Sequence, residues 1–482
     1  MIPSPSANNR GRVPAAYNRV FVWTVCLVAA LGGLLFGYDW VVISGADIFY
    51  EKFFALTSAT DIGWAKSCAL AGCLVGSLVA GALSDKFGRK RLLILSAILF
   101  TVSSLATGLA NTFPAFVAWR IVGGAAIGLA SNLSPMYIAE IAPAAIRGKL
   151  VSLNQLNIVI GILLAQFANW LVAQPVPEGA TAAEILNSWN GQQGWRWMFC
   201  LTAAPSVLFL LGMVFVPESP RWLIKNGQRQ NAQSILTRLG GESFAAQSVA
   251  EVEATLVNEI QHVNFRDLLE PGVRRIVGFG VLLAFIVQWC GINVIFYYTK
   301  DVFAAAGYNV SGILLNIIIV GATNLVFTFV ALQTVDRLGR RWLTLTGWAG
   351  LTAIFIALGC CFHACVTGLP VVILVMAAIG CYAATIAPVC WVTLAEIFPN
   401  RIRGAAMATA VFALWVGNFT LTYVFPSMLA RFGAAGVFWI FAGLCTVGYL
   451  LMHAKLPETK GKTLEEIEIQ LMGIPPRKSN TP

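Results

Sequence analysis

AEIAPAAIRG at residues 139–148 returns as AEIFPNRIRG at 395–404. Two more motifs return in the same order. DKFGRKR (85–91) becomes DRLGRRW (336–342), and PESP (217–220) becomes PETK (457–460). The offsets are 256, 251 and 240 residues, so a unit of about half of the 482-residue chain occurs twice. Outward from these motifs the chain is apolar. Hydrophobic residues make up 58% and charged residues only 11%, against about 25% charged in soluble domains. Twelve apolar stretches are near the ~20 residues needed to cross a bilayer: 20–45, 62–83, 92–110, 113–137, 150–173, 197–216, 275–299, 312–335, 342–364, 369–394, 405–429 and 434–453. All are expected to be helices, because a strand with an open edge leaves backbone groups unsatisfied in lipid.

Each copy of the repeat therefore carries six spans. Two parallel six-helix halves with a site at their interface near the midplane make a transporter architecture, worked by rocking of the halves. The expected domains are a cytosolic tail (1–19), an N-terminal half (20–216), a cytosolic helical linker (217–273), a C-terminal half (274–455) and a cytosolic segment (456–482). The linker contains the amphipathic pieces NAQSILTRLGG (231–241) and AEVEATLVNEI (250–260), and TLEEIEIQL (463–471) reads as a short capped helix.

The net charge of +10 is distributed by side, which argues against nucleic acid. Lys86, Arg89, Lys90, Arg91, Arg147, Lys149, Arg221, Lys225, Arg337, Arg340, Arg341, Arg401 and Arg403 fall on one side of the numbered spans. The opposite loops are assigned Lys52, Lys66, Arg196, Lys300 and Arg431. This positive-inside bias places both termini in the cytosol. The polar start MIPSPSANNRGRVPAAYNR contains no apolar core with a cleavage site, so no cleaved signal peptide is expected.

Two charges of opposite sign lie inside apolar runs. Asp39 is in VFVWTVCLVAALGGLLFGYDWVVISGADIF (20–49), and Arg120 is in TFPAFVAWRIVGGAAIGLASNLSPMYIA (112–139). An ionisable residue in hydrocarbon is unfavourable and usually marks an ion pathway. At 1.5 Å per residue, Asp39 stands about 30 Å above Arg19 and Arg120 about 13 Å below Asn111, so the two can meet in the outer half of the membrane. A purely structural ion pair is the plainer reading. GCCFHAC (359–365) is the one stretch resembling a ligand cluster; without a second ligand pair no metal site is expected, and no cofactor is implied. No nucleophile–base pair or phosphate loop accompanies the spans, so an enzyme is not expected.

Taken in order, GGLLFGYDWVVISG (32–45), GALSDKFGRK (81–90), RIVGGAAIGLAS (120–131), PMYIAEIAPAAIRGKLVSLNQ (135–155), PESPRW (217–222), GINVIFYY (291–298), VDRLGRR (335–341), PVCWVTLAEIFPNRIRG (388–404) and PETKGKTLEEIE (457–468) resemble the sugar porter family of the major facilitator superfamily over nearly the whole chain. The first half is closest in pattern to the bacterial proton–xylose symporters. The resemblance implies an all-α integral membrane fold of twelve helices, importing a monosaccharide by proton symport through alternating access, using no cofactor and working as a monomer in a bacterial inner membrane. It implies that Asp39 binds the proton beside Arg120. Sugar contacts are implied at Gln155, Gln288, Asn293, Asn324, Tyr297 and Trp391, with Trp415 and Asn418 in the eleventh span. It further implies a cytosolic network of gating salt bridges among Asp85, Arg89, Glu140, Arg147, Glu218, Arg340, Glu396, Arg403 and Glu458.

Amides suit a sugar because they both donate and accept, as its hydroxyls do, though each amide alone could instead hold helices together. The chain departs from the family at Val287, Leu414, Ala387, Ile162 and Thr202; the last two replace a glutamine and a glutamate of the xylose symporters. The pocket should be less polar than theirs, which leaves the sugar open: another hexose, a deoxysugar or a polyol. A facilitator, a proton antiporter of another solute and a non-transporting sugar sensor are the alternatives.

Overall fold

The computed structural model describes residues 17–143, 146–177, 179–259, 270–398, 403–456 and 458. The expected C-terminal helix at 463–471 lies outside the described residues, as does most of the N-terminal tail. Among the described residues every regular element is helical. The first five spans are α1 (Arg19–Phe53), α2 (Ala59–Phe87), α3 (Arg89–Gly108), α4 (Phe113–Ile141) and α5 (Arg147–Val172). A short α6 (Ala182–Asn187) and a π-helical turn at Asn190–Gly194 lead into the sixth span, α7 (Trp195–Cys200) and α8 (Ala203–Phe215). The linker holds α9 (Pro220–Lys225) and α10 (Arg229–Glu259), the latter broken at Gly240 and Gly241.

The second half begins with α11 (Pro271–Gln288), α12 (Ile292–Tyr297) and α13 (Thr299–Ala305), followed by α14 (Val310–Leu338) and α15 (Arg340–His363). α16 (Leu369–Ala384) and α17 (Ile386–Ile397) form the tenth span. The last helical stretch, α18 (Arg403–Lys455), has 53 residues. A straight helix of that length would run about 80 Å, far beyond a bilayer. It turns at Gly433, whose φ of 68° is left-handed, and so supplies the eleventh and twelfth spans.

Side-chain choice sets the helix starts. Asn18, Ser58 and Asn309 accept a backbone N–H in the first turns of α1, α2 and α14. Within the first half, α2 and α4 are pressed together by facing glycines. A methyl group at Gly72 or Gly76 would lie 2.1 Å from the carbonyl oxygens of Ile121 or Ala125, and one at Gly124 1.9 Å from that of Ala69. Small residues let membrane helices approach to backbone contact, where dispersion rather than the hydrophobic effect holds them. This packing fixes the face of α4 that carries Arg120.

Between halves, α2 packs against α18 and α5 against α14. By the sequence repeat the second span corresponds to the eighth and the fifth to the eleventh. The two interfaces are therefore one contact seen from either half. The repeated motifs lie at one end of the bundle, where α2 meets α3 and α14 meets α15; the α1–α2 and α13–α14 turns lie at the other.

Candidate functional site

Asp39 and Arg120 meet as the depths predict. Arg120 Nη1 donates to Asp39 Oδ1 at 2.5 Å, with the residues 3% and 5% exposed. The guanidinium carbon stands 5.4 Å from the Phe199 ring centre, which covers its face from the sixth span. Arg120 Nε has no hydrogen-bond partner among the described residues. A carboxylate that takes up a proton here loses its charge and leaves a buried cation poorly compensated.

Two spans expected to be continuous are broken. α11 ends at Gln288, and Gly291, at φ 94°, opens α12; α16 ends at Ala384, and Thr385, at φ −127° and ψ −79°, precedes α17. Non-helical backbone inside a membrane protein is tolerated where protein or a cavity surrounds it, and discontinuous helices commonly line transporter binding sites. The first break turns Asn293 back on Gln288: Asn293 Nδ2 donates to Gln288 Oε1 at 2.5 Å. Both amides are buried.

The aromatic lining crosses from one half to the other. On α1, one turn apart, Phe36 and Trp40 have ring centres 6.0 Å apart. Phe36 lies 5.6 Å from Trp415 on α18; Trp40 lies 5.3 Å from Phe296 and 6.0 Å from Tyr297 on α12. Trp391 on α17 is 41% exposed, and Asn324 and Asn418 are buried on α14 and α18. Gln155 is half-buried on α5. Thus Gln288 with Asn293, and Tyr297 and Trp415 with the α1 aromatics, are joined by direct contacts. Gln155, Asn324, Asn418 and Trp391 have no side-chain hydrogen bond to one another among the described residues. Sequence reasoning passed over Phe36 and Trp40; the signal was their i, i+4 spacing around Asp39.

Of the charges expected to form the gating network, two arginine–glutamate pairs are described. Arg89 Nη2 lies 3.1 Å from Glu140 Oε1, and Arg340 Nη2 lies 3.1 Å from Glu396 Oε1, each pair inside its own half. Asp85 joins the first set through Arg89 at 3.2 Å and Lys225 at 2.9 Å. Glu218 and Glu458 accept backbone N–H groups. Glu218 Oε1 accepts the backbone N–H groups of Arg89 and Lys90, both at 3.1 Å. Glu458 accepts those of Arg340 at 3.0 Å and Arg341 at 3.1 Å. Each carboxylate caps the start of a helix opened by a left-handed glycine, Gly88 at φ 92° and Gly339 at φ 89°. Arg147 is exposed and has no ion pair among the described residues, and the side chain of Arg403 lies outside them.

Lys66 is a correction to the loop assignment. It is wholly buried in α2, with Nζ 2.5 Å from Asp47 Oδ2 of α1. These two charges are as deeply buried as Asp39 and Arg120. Their positions near the ends of apolar runs hid them.

An all-helical bundle with a duplicated half, broken helices and a buried charge pair defines a secondary transporter. The chain belongs to the family described as sugar (and other) transporter, whose model matches residues 25–471. It is 39% identical to the D-xylose-proton symporter of Escherichia coli, over 94% of this chain and 96% of that protein. It is 36% identical to the arabinose-proton symporter of Bacillus subtilis, over 95% and 96%. Among solved structures, the inward-open conformation of the xylose transporter from Escherichia coli superposes with a TM-score of 0.81 at 38% identity, covering 93% of this chain and 99% of that one.

Proposed function

We propose that this chain imports a monosaccharide by proton symport, with Asp39 as the proton site and the sugar held between the halves. The observation that carries the reading is the buried contact of Arg120 with Asp39. Gln288, Asn293, Tyr297, Asn324, Trp391, Trp415 and Asn418 from the second half and Gln155 from the first would surround the sugar. The amides would pair with its hydroxyls, and an indole face would cover its C–H face. Phe36 and Trp40 add apolar surface, in keeping with a pocket less polar than that of the xylose symporters. The protein would sit as a monomer in a bacterial inner membrane, motif end and both termini in the cytosol.

The test is a panel of pentoses, hexoses, deoxysugars and polyols added to proteoliposomes, with proton uptake recorded. At least one sugar should drive alkalinisation outside the vesicles. Asp39→Asn should abolish uphill accumulation of that sugar while leaving its exchange measurable. Full proton-driven accumulation by the variant would remove Asp39 from the mechanism.

A further inference from the structure

At the end of the bundle away from the duplicated motifs, four charged side chains from both halves surround one buried ammonium. Lys66 Nζ lies 2.5 Å from Asp47 Oδ2, 3.5 Å from Asp301 Oδ2 and 3.7 Å from Glu51 Oε1. It donates to the backbone carbonyl of Tyr297 at 3.2 Å and stands 4.0 Å from the centre of the Tyr298 ring. Lys300 closes the ring of charges by hydrogen-bonding Glu51. Asp47, Glu51 and Lys66 belong to the first half; Tyr297, Tyr298, Lys300 and Asp301 belong to the second. By contrast, the Arg89–Glu140 and Arg340–Glu396 pairs at the motif end stay within their halves.

We infer that Lys66 is a positioning residue of the transport cycle: it latches the halves together at this end and, through the Tyr297 carbonyl, holds α12 in the geometry that presents Asn293 and Tyr297. A buried ammonium is tolerable only when paired and hydrogen-bonded. Asp47 travels with Lys66 in the same half, whereas the Tyr297 carbonyl, the Tyr298 ring and Asp301 stay with the other. Parting the halves here strips Lys66 of those partners and admits water to replace them. The contacts exist in one arrangement only, so their free energy biases the rocking equilibrium. α12 runs from the break beside Gln288 to this latch, so the same bond ties site geometry to closure of this end.

The inference rests on the rocking of the two halves, and its deciding readout, a distance, needs neither sugar nor proton gradient. Spin labels at the exposed positions Thr57 and Ala305 report the distance across this end in nanodiscs. The Lys66→Met/Asp47→Leu variant removes the charge pair without stranding a buried carboxylate. Its population of the longer distance should rise about tenfold over the parent, equivalent to about 1.4 kcal/mol. Lys66→Arg should keep the short distance. Asp301→Ala, at a partly exposed position, should give an intermediate widening and serves if the double variant does not fold. In sugar exchange, Lys66→Met should raise KM more than it lowers the maximal rate. A parental distance distribution in the double variant, or in Asp301→Ala where only that variant folds, overturns the latch. Failure of the proton-symport reading would instead appear as sugar uptake without proton movement and leave the distances as described.

Discussion

At the residue scale, Asp39 and Arg120 were legible because each is a single charge in a long apolar run, and depth along two antiparallel helices matched them. Their contact predicts a stability effect separable from transport. Removing one partner of a buried ion pair costs about 3–5 kcal/mol, because the other charge is left uncompensated. Asp39→Asn should therefore lower the melting temperature in detergent, and Asp39→Asn/Arg120→Met should recover most of that loss without recovering accumulation. Equal melting of Asp39→Asn and parent would mean that water already solvates the pair. Gln288 gives a second prediction. Its Oε1 is engaged by Asn293, leaving its amide N–H groups for a ligand. Gln288→Ala should weaken sugar binding by about 1–3 kcal/mol, or roughly 5- to 150-fold. Binding of the transported sugar at parental affinity by this variant would place Gln288 in helix packing.

At the element scale, the repeated motifs have a local cause that the sequence shows only in part. The glycine of DKFGRKR and of DRLGRRW takes a left-handed φ that starts a new helix, and a carboxylate about 120 residues further on caps that helix. The spacing between motif and cap is set by tertiary folding, so sequence alone offered only charge complementarity. A cap of this kind is worth about 0.5–2 kcal/mol. Glu218→Ala should lower stability by that amount, and Glu218→Gln, which keeps an acceptor, by less. Gly88→Ala should do more harm than Glu218→Gln. It forces a side chain into φ 92° and brings the new Cβ to 2.4 Å from Glu218 Oε2. Thermal melting of the three variants checks the order, and a harmless Gly88→Ala would mean that the turn relaxes. The break at Thr385 lies three residues before Pro388, a signal the sequence does carry, whereas the break at Gly291 was not legible for a related reason. Glycine is common inside membrane helices, and nothing in apolar periodicity separates a glycine that packs from one that interrupts.

At the scale of the whole molecule, the duplication gave the number of spans and the end at which the motifs gather, since both follow from counting alone. It could not tell whether charges at that end pair within a half or across halves, because that depends on the state of the rocking cycle. In this structure, ion pairs across the halves occur at the Lys66 end, and the described pairs at the motif end are internal to each half. This arrangement agrees with the similarity to an inward-open transporter. On the proposed reading, the two motif-end clusters are the halves of a gate. When the bundle rocks the other way, Glu140 and Glu396 would come within reach of arginines of the opposite half, and the contacts at Lys66 would part. Single exposed pairs are worth about 0–1 kcal/mol, so the gate would work by the sum of several. Glu140→Gln removes one acceptor from Arg89 while leaving the Glu218 cap in place. It should shift spin-label distances across the motif end toward the open population and slow net uptake, with sugar affinity retained. Parental distances together with a parental uptake rate would leave Glu140 a structural partner of Arg89 alone. A shift at the motif end, with Thr57–Ala305 distances tightening in step, would show the two ends exchanging stability through one rigid-body equilibrium.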